Sequence, residues 1–98
     1  MAKYLILWEV DLTRTPENPT ERKTQWSGMI GMVKADLKAG KPVKDFGEFL
    51  GQDNGYFIAE GTQQEIHDYT HKWVPFIKFQ VRAVADADMV EKAIQTVA

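Results

Sequence analysis

Few residues of this 98-residue chain have the type and spacing that chemistry needs. His67 and His71 stand four apart, so on a helix their imidazoles share a face and could grip one metal ion. The nearest further ligand, Asp68, points about 100° away from His67 around a helix. The pair reads better as two surface histidines, and no metal site is expected. Glu9 and Glu60 each end an apolar run. With the first and third strands taken as parallel neighbours, both fall near strand C-terminal ends, where two helices begin and the Arg14 loop lies close. Two carboxylates held close in partly dry surroundings split their pKa values into one acid and one base. Glu9 and Glu60 are therefore the candidate catalytic residues. The competing reading sets them on opposite faces, or pairs them with Lys78 and Arg82, because sequence does not fix parity. Arg14, Trp8, Trp26, Tyr69 and Trp73 are the candidate ligand-binding residues. Such aromatics, with Tyr56 and Phe79, either fill the core or line an apolar pocket in which their polar tips need partners. There is no Ser/His/Asp series and no glycine-rich phosphate loop.

Bulk composition narrows the function classes. A net charge of −2, with Lys and Arg scattered among acids, gives no electrostatic footprint for nucleic acid. Zero cysteines exclude disulfides, thiolate chemistry and cysteine-ligated zinc. No apolar run is long enough for a bilayer span or a signal-peptide core. One domain is expected over residues 1–98, in the cytoplasm, with neither membrane nor nucleic acid as a partner.

The elements that must position these residues are well marked. Tyr4-Leu5-Ile6-Leu7-Trp8 lacks polar alternation and reads as a central strand buried on both faces. Asn18-Pro19-Thr20-Glu21 opens a helix as N-cap, first-turn proline and capping box. It runs to about Ala39, with Trp26, Met29, Ile30, Val33 and Leu37 on one stripe. Gly28 and Gly31 inside it call for close packing, and Gly40 stops it. Val43 to Gly51 is an irregular strand with a bulge near Gly47. Gln52-Asp53-Asn54-Gly55 turns the chain, with Gly55 or Asn54 at positive φ. Tyr56 to Glu60 returns as a second apolar strand. Thr62-Gln63-Gln64-Glu65 caps a helix of about three turns that buries Ile66, Tyr69 and Trp73. Phe76 to Ala85 alternates as a half-covered edge strand, and Asp86 opens a short helix with Met89, Val90, Ala93, Ile94 and Val97 on its apolar side. The order βαββαβ plus a terminal helix predicts an α+β, ferredoxin-like domain with an antiparallel four-stranded sheet of order 4-1-3-2.

The segment Tyr4 to Val10, the hairpin Val43 to Gly51 with Gly55-Tyr56, and Pro75-Phe76-Ile77-Lys78-Phe79 together resemble a family of small domains of unknown function. That family belongs to the dimeric α+β barrel superfamily, which also holds muconolactone isomerases, cofactor-free quinol-type monooxygenases and haem proteins of the chlorite dismutase type. The resemblance covers nearly the whole chain and rests on turns, glycines and core aromatics. It implies the fold, a homodimer and a cavity between sheet and helices for a small apolar or anionic molecule. No catalytic set carries over, neither histidine is marked as a haem ligand, and no cofactor is expected. The alternative is a structural or interaction module with a filled core. The dimer also follows from patterning: Leu5 and Leu7 oppose Tyr4, Ile6 and Trp8, and Phe57 and Ala59 oppose Tyr56 and Ile58. Helices cover one face only, so a monomer would leave an apolar patch in water.

Overall fold

The first strand, apolar on both faces, lies inside the sheet with a strand paired along each edge. The computed structural model describes residues 2–97. Its elements are β1 (Lys3–Val10), α1 (Pro19–Ala39), β2 (Val43–Glu48), β3 (Asn54–Glu60), α2 (Gln63–His71), β4 (Ile77–Val84) and α3 (Ala87–Gln95). The sheet order is β2-β3-β1-β4, which read from the β4 edge is 4-1-3-2. The architecture is α+β and fits a ferredoxin-like arrangement in general. Every pairing is antiparallel, β1 with β3 included. That corrects the parallel pairing of the first and third strands. In βαββ connectivity the crossover makes β2 parallel to β1, and the hairpin then reverses β3.

Register assigns the faces. Tyr4, Ile6 and Trp8 lie on the helix-covered side with Phe57 and Ala59 of β3, and all five are buried. Leu5, Leu7, Tyr56 and Ile58 lie on the open side and are half-buried. On β2 one extra residue separates Val43, opposite Ala59, from Asp45, opposite Ile58. The bulge is therefore at Lys44 and not near Gly47. It brings both Val43 and Phe46 to the helix side although they are three apart. Positive φ falls at Gly51 (73°) and not at Gly55 or Asn54, which belong to β3.

The helix starts fall where the sequence predicts, but at α1 only Asn18 caps, and Glu21 does not return the reciprocal bond of a capping box. Asn18 Oδ1 accepts from the N–H groups of Thr20 (2.8 Å) and Glu21 (3.2 Å). Thr62 and Glu65 form the reciprocal box, and its Thr62 N–H donates to Glu65 Oε1 at 2.9 Å. Gly40 (φ 71°) ends α1 in left-handed geometry. Packing departs from expectation on α1. Val33 is buried and Met29 and Leu37 are partly so, but Trp26 and Ile30 are 40% and 42% exposed. A Cβ at Gly28 or Gly31 would touch nothing within 4 Å, so close packing within the chain does not explain these glycines. Among the described residues, no helix is long and apolar enough to cross a membrane.

Candidate functional site

Trp8 sets the site's floor. It projects from β1 to the helix side opposite Gly55, and a Cβ at Gly55 would come within 2.7 Å of its ring. Without that Cβ the indole crosses β3 and stacks on Phe46 of β2, centroids 5.6 Å apart and planes 5° from parallel. Phe57 tilts against both rings. Trp73, in the turn after α2, is buried and packs edge-on to Tyr69, which in turn meets Phe57 edge-on.

Above this floor α1 does not close down. An open-sided cavity of about 610 Å³ separates it from the sheet, walled by Met29, Ile30 and Val33 above and by Trp8, Phe46, Phe57, Trp73, Ile77 and Phe79 below. Arg22 and Lys23 line it from α1, and Glu48 and Asp53 from the hairpin. The Arg22 guanidinium lies 5.8 Å from the centre of the Trp26 ring, one helical turn away. The indole N–H groups of Trp8 and Trp73 are both buried without hydrogen-bond partners. Both are sealed from the cavity space, and buried donors left unpaired cost about 1–3 kcal/mol each.

Tyr69 stands behind the cavity wall. Burial above all raises its hydroxyl pKa beyond the ordinary range. The nearby Asp36 carboxylate raises it further, and the adjoining Trp73 indole offsets part of this, so the hydroxyl stays protonated. Lys72 covers the Tyr69 ring, its Nζ 4.5 Å from the centroid, and pairs with Asp36 at 3.3 Å.

The candidate carboxylates do not meet. Glu9 pairs in register with Asn54, and Glu60 with Lys3, so about six residues of strand, roughly 20 Å, separate them. By alternation both lie on the open face, away from the cavity, and Glu60 approaches Lys44 at 4.0 Å. Antiparallel pairing also sends the N-termini of α1 and α2 to opposite ends of the sheet, so their dipoles do not converge. Arg14 is exposed outside the cavity, where its carbonyl accepts from Gln25 Nε2 at 3.2 Å. Its loop is fixed by Asp11, whose carboxyl is held below its usual range mainly by the Thr13 hydroxyl, at 2.6 Å.

Of the predicted ligand residues, Trp8, Trp26 and Trp73 are brought together, Tyr69 lies behind them and Arg14 is left out. Arg22 takes the basic position, and its i, i+4 spacing to Trp26 was the signal that could have found it. Phe46 was hidden by the bulge. His67 and His71 lie on an exposed side of α2 with ring centres 5.5 Å apart. No group of three or more metal-capable side chains occurs among the described residues. No protein-family model matches the chain, and a search of curated proteins returns no match, so the site is read from its own geometry.

Proposed function

We propose that this chain forms a homodimeric α+β barrel and binds a small apolar molecule with an anionic head, without a cofactor, in the cavity under α1. The observation that carries the ligand is the open-sided, largely apolar space of about 610 Å³ lined by Trp8 and Trp73, with Arg22 at its α1 side. That volume lies within the roughly 300–1,000 Å³ usual for small-molecule pockets, which favours this reading over a module with a filled core. Arg22 and Lys23 offer charge on the α1 side, while Glu48 and Asp53 repel an anion from the hairpin side. Glu9 and Glu60 face the other way, so the support is for binding and not for a reaction. The dimer is supported by the open-face patch of Leu5, Leu7, Tyr56 and Ile58 in the middle of the sheet. A cytoplasmic setting belongs to the same proposal.

Calorimetric titration with 2-naphthoate and with uncharged 2-methylnaphthalene tests the ligand. One saturable site per chain is expected, with the carboxylate bound about tenfold more tightly, as a charge-assisted hydrogen bond provides. Arg22→Met should remove that preference. Absence of saturable binding by either compound would overturn the reading. For the dimer, light scattering should give twice the chain mass of 11.2 kDa.

A further inference from the structure

Helix α3 is amphipathic but packs on nothing. Met89, Val90 and Ile94 on its apolar side are 54%, 48% and 60% exposed, and every described residue from Gln80 onward is exposed. The chain leaves β4 through Ala85 and Asp86. Asp86 is extended (φ −79°, ψ 178°), and its carboxylate caps α3 by accepting from Met89 N–H at 2.9 Å. This short, extended linker carries α3 away from the sheet instead of folding it back, and the molecule is 61 Å long but only 25 by 22 Å across. A matching deficit exists elsewhere. Val81 and Ala83 of β4 point to the helix side, in register with Ile6 and Tyr4, yet no helix covers them. Further along the same face of β4, Ile77 and Phe79 line the cavity, whose α1 wall includes the exposed Trp26 and Ile30.

We infer that α3 is an exchanged arm: its apolar side seats on the uncovered strip of β4 in a second copy, between that strand and α1, and walls that copy's cavity. The inference rests on the proposed dimer, and it makes the binding site incomplete without the partner. Stripe meets stripe, since Met89, Val90, Ala93 and Ile94 run along α3 as Trp26 and Ile30 run along α1. Charge agrees as well. The arm carries Asp86, Asp88 and Glu91 against the single Lys92, and α1 presents Arg22, Lys23, Lys34 and Lys38 against Glu21 and Asp36. Unlike charges flanking an apolar seam favour that contact over contact between two like arms.

The chain has no cysteine, so placed thiols report cleanly. Val81→Cys and Ile94→Cys both replace exposed residues, and circular dichroism should show each variant folded as the parent. The two single variants, one carrying an affinity tag, are mixed and treated with a short bismaleimide. The expected product is a covalent dimer holding one tagged and one untagged chain, and it should outweigh like-with-like products several-fold. The double variant should likewise give bridged dimers. Bridges only within one chain would mean that α3 folds back on its own sheet, and no bridging would mean that it docks elsewhere; either result overturns the exchange. Light scattering of the untreated protein separates the two proposals. Dimeric mass with only internal bridges refutes the arm and keeps the face-to-face dimer, whereas monomeric mass refutes both.

Discussion

Ile6 and Val81 are cross-strand partners on the same face of the same sheet, yet Ile6 is 0% exposed and Val81 is 45% exposed. Val81 belongs to a strand of apolar alternation, and Ile6 to one that is apolar on both faces. The difference lies above them: Ile6 sits at the centre of the sheet, within the core cluster that Val33 of α1 and Ile66, Tyr69 and Trp73 complete, whereas no helix covers Val81. Alternation shows that a residue is suited to burial. It does not say what buries it.

Four substitutions probe that contrast, taken from the largest expected effect downward. Trp73→Ala removes the anchor between the α2 turn and the sheet, and denaturant melts are expected to show a loss of about 3–5 kcal/mol. A loss below about 1 kcal/mol would class Trp73 with Val81 as a surface residue. Gly55→Ala puts a methyl against the Trp8 ring and the Gly47 carbonyl, which as backbone cannot step aside. It should cost about 1–3 kcal/mol. It should also alter tryptophan fluorescence by shifting the Trp8–Phe46 stack, a change that a loss of stability alone would not produce. Val81→Ala should cost under about 1 kcal/mol where the chain is monomeric. If the arm exchanges, that cost should grow with protein concentration, because partner binding stabilises by mass action. A concentration-independent cost would leave the strip bare.

The smallest effect concerns the α2 cap. The Glu65 carboxyl is held below its usual 4.5, first by the Thr62 backbone N–H and then by the Thr62 side chain. Folding therefore favours the charged form, and this contribution is complete above about pH 4.5. It fades as pH falls through the lower folded value. Thermal melts between pH 6 and 3 should show a slightly shallower acid loss for Glu65→Gln than for the parent, and identical slopes would mean that the cap does not respond to this charge.

The elements were legible in the sequence because their signals are local. Asn18-Pro19, Thr62 with Glu65, Gly40 and Asp86 act within a few residues, and each of those helix ends falls where these residues predict. Sheet order was legible too, since the most apolar strands must be central. Strand direction was misjudged for the candidate carboxylates, and that single error joined Glu9 to Glu60. The cavity was half legible. Tryptophans marked it, but its basic edge comes from Arg22, one turn before Trp26 on the same side of α1, which reads from sequence as an ordinary surface charge. The uncovered strip on β4 was not legible, because coverage is a property of other elements.

The extra residue at Lys44 acts as a phase correction. Alternation runs in twos on either side of it, and the step of three from Val43 to Phe46 joins two stretches that would otherwise face opposite ways. Frame, not composition, is thus what gives Trp8 its stacking partner. The same residues paired in an unbroken ladder, with Lys44 taking a place in it, would keep every apolar residue of the hairpin. That pairing would nevertheless turn Phe46 to the open face and Asp45 toward the indoles, exchanging the dry floor of the cavity for a carboxylate.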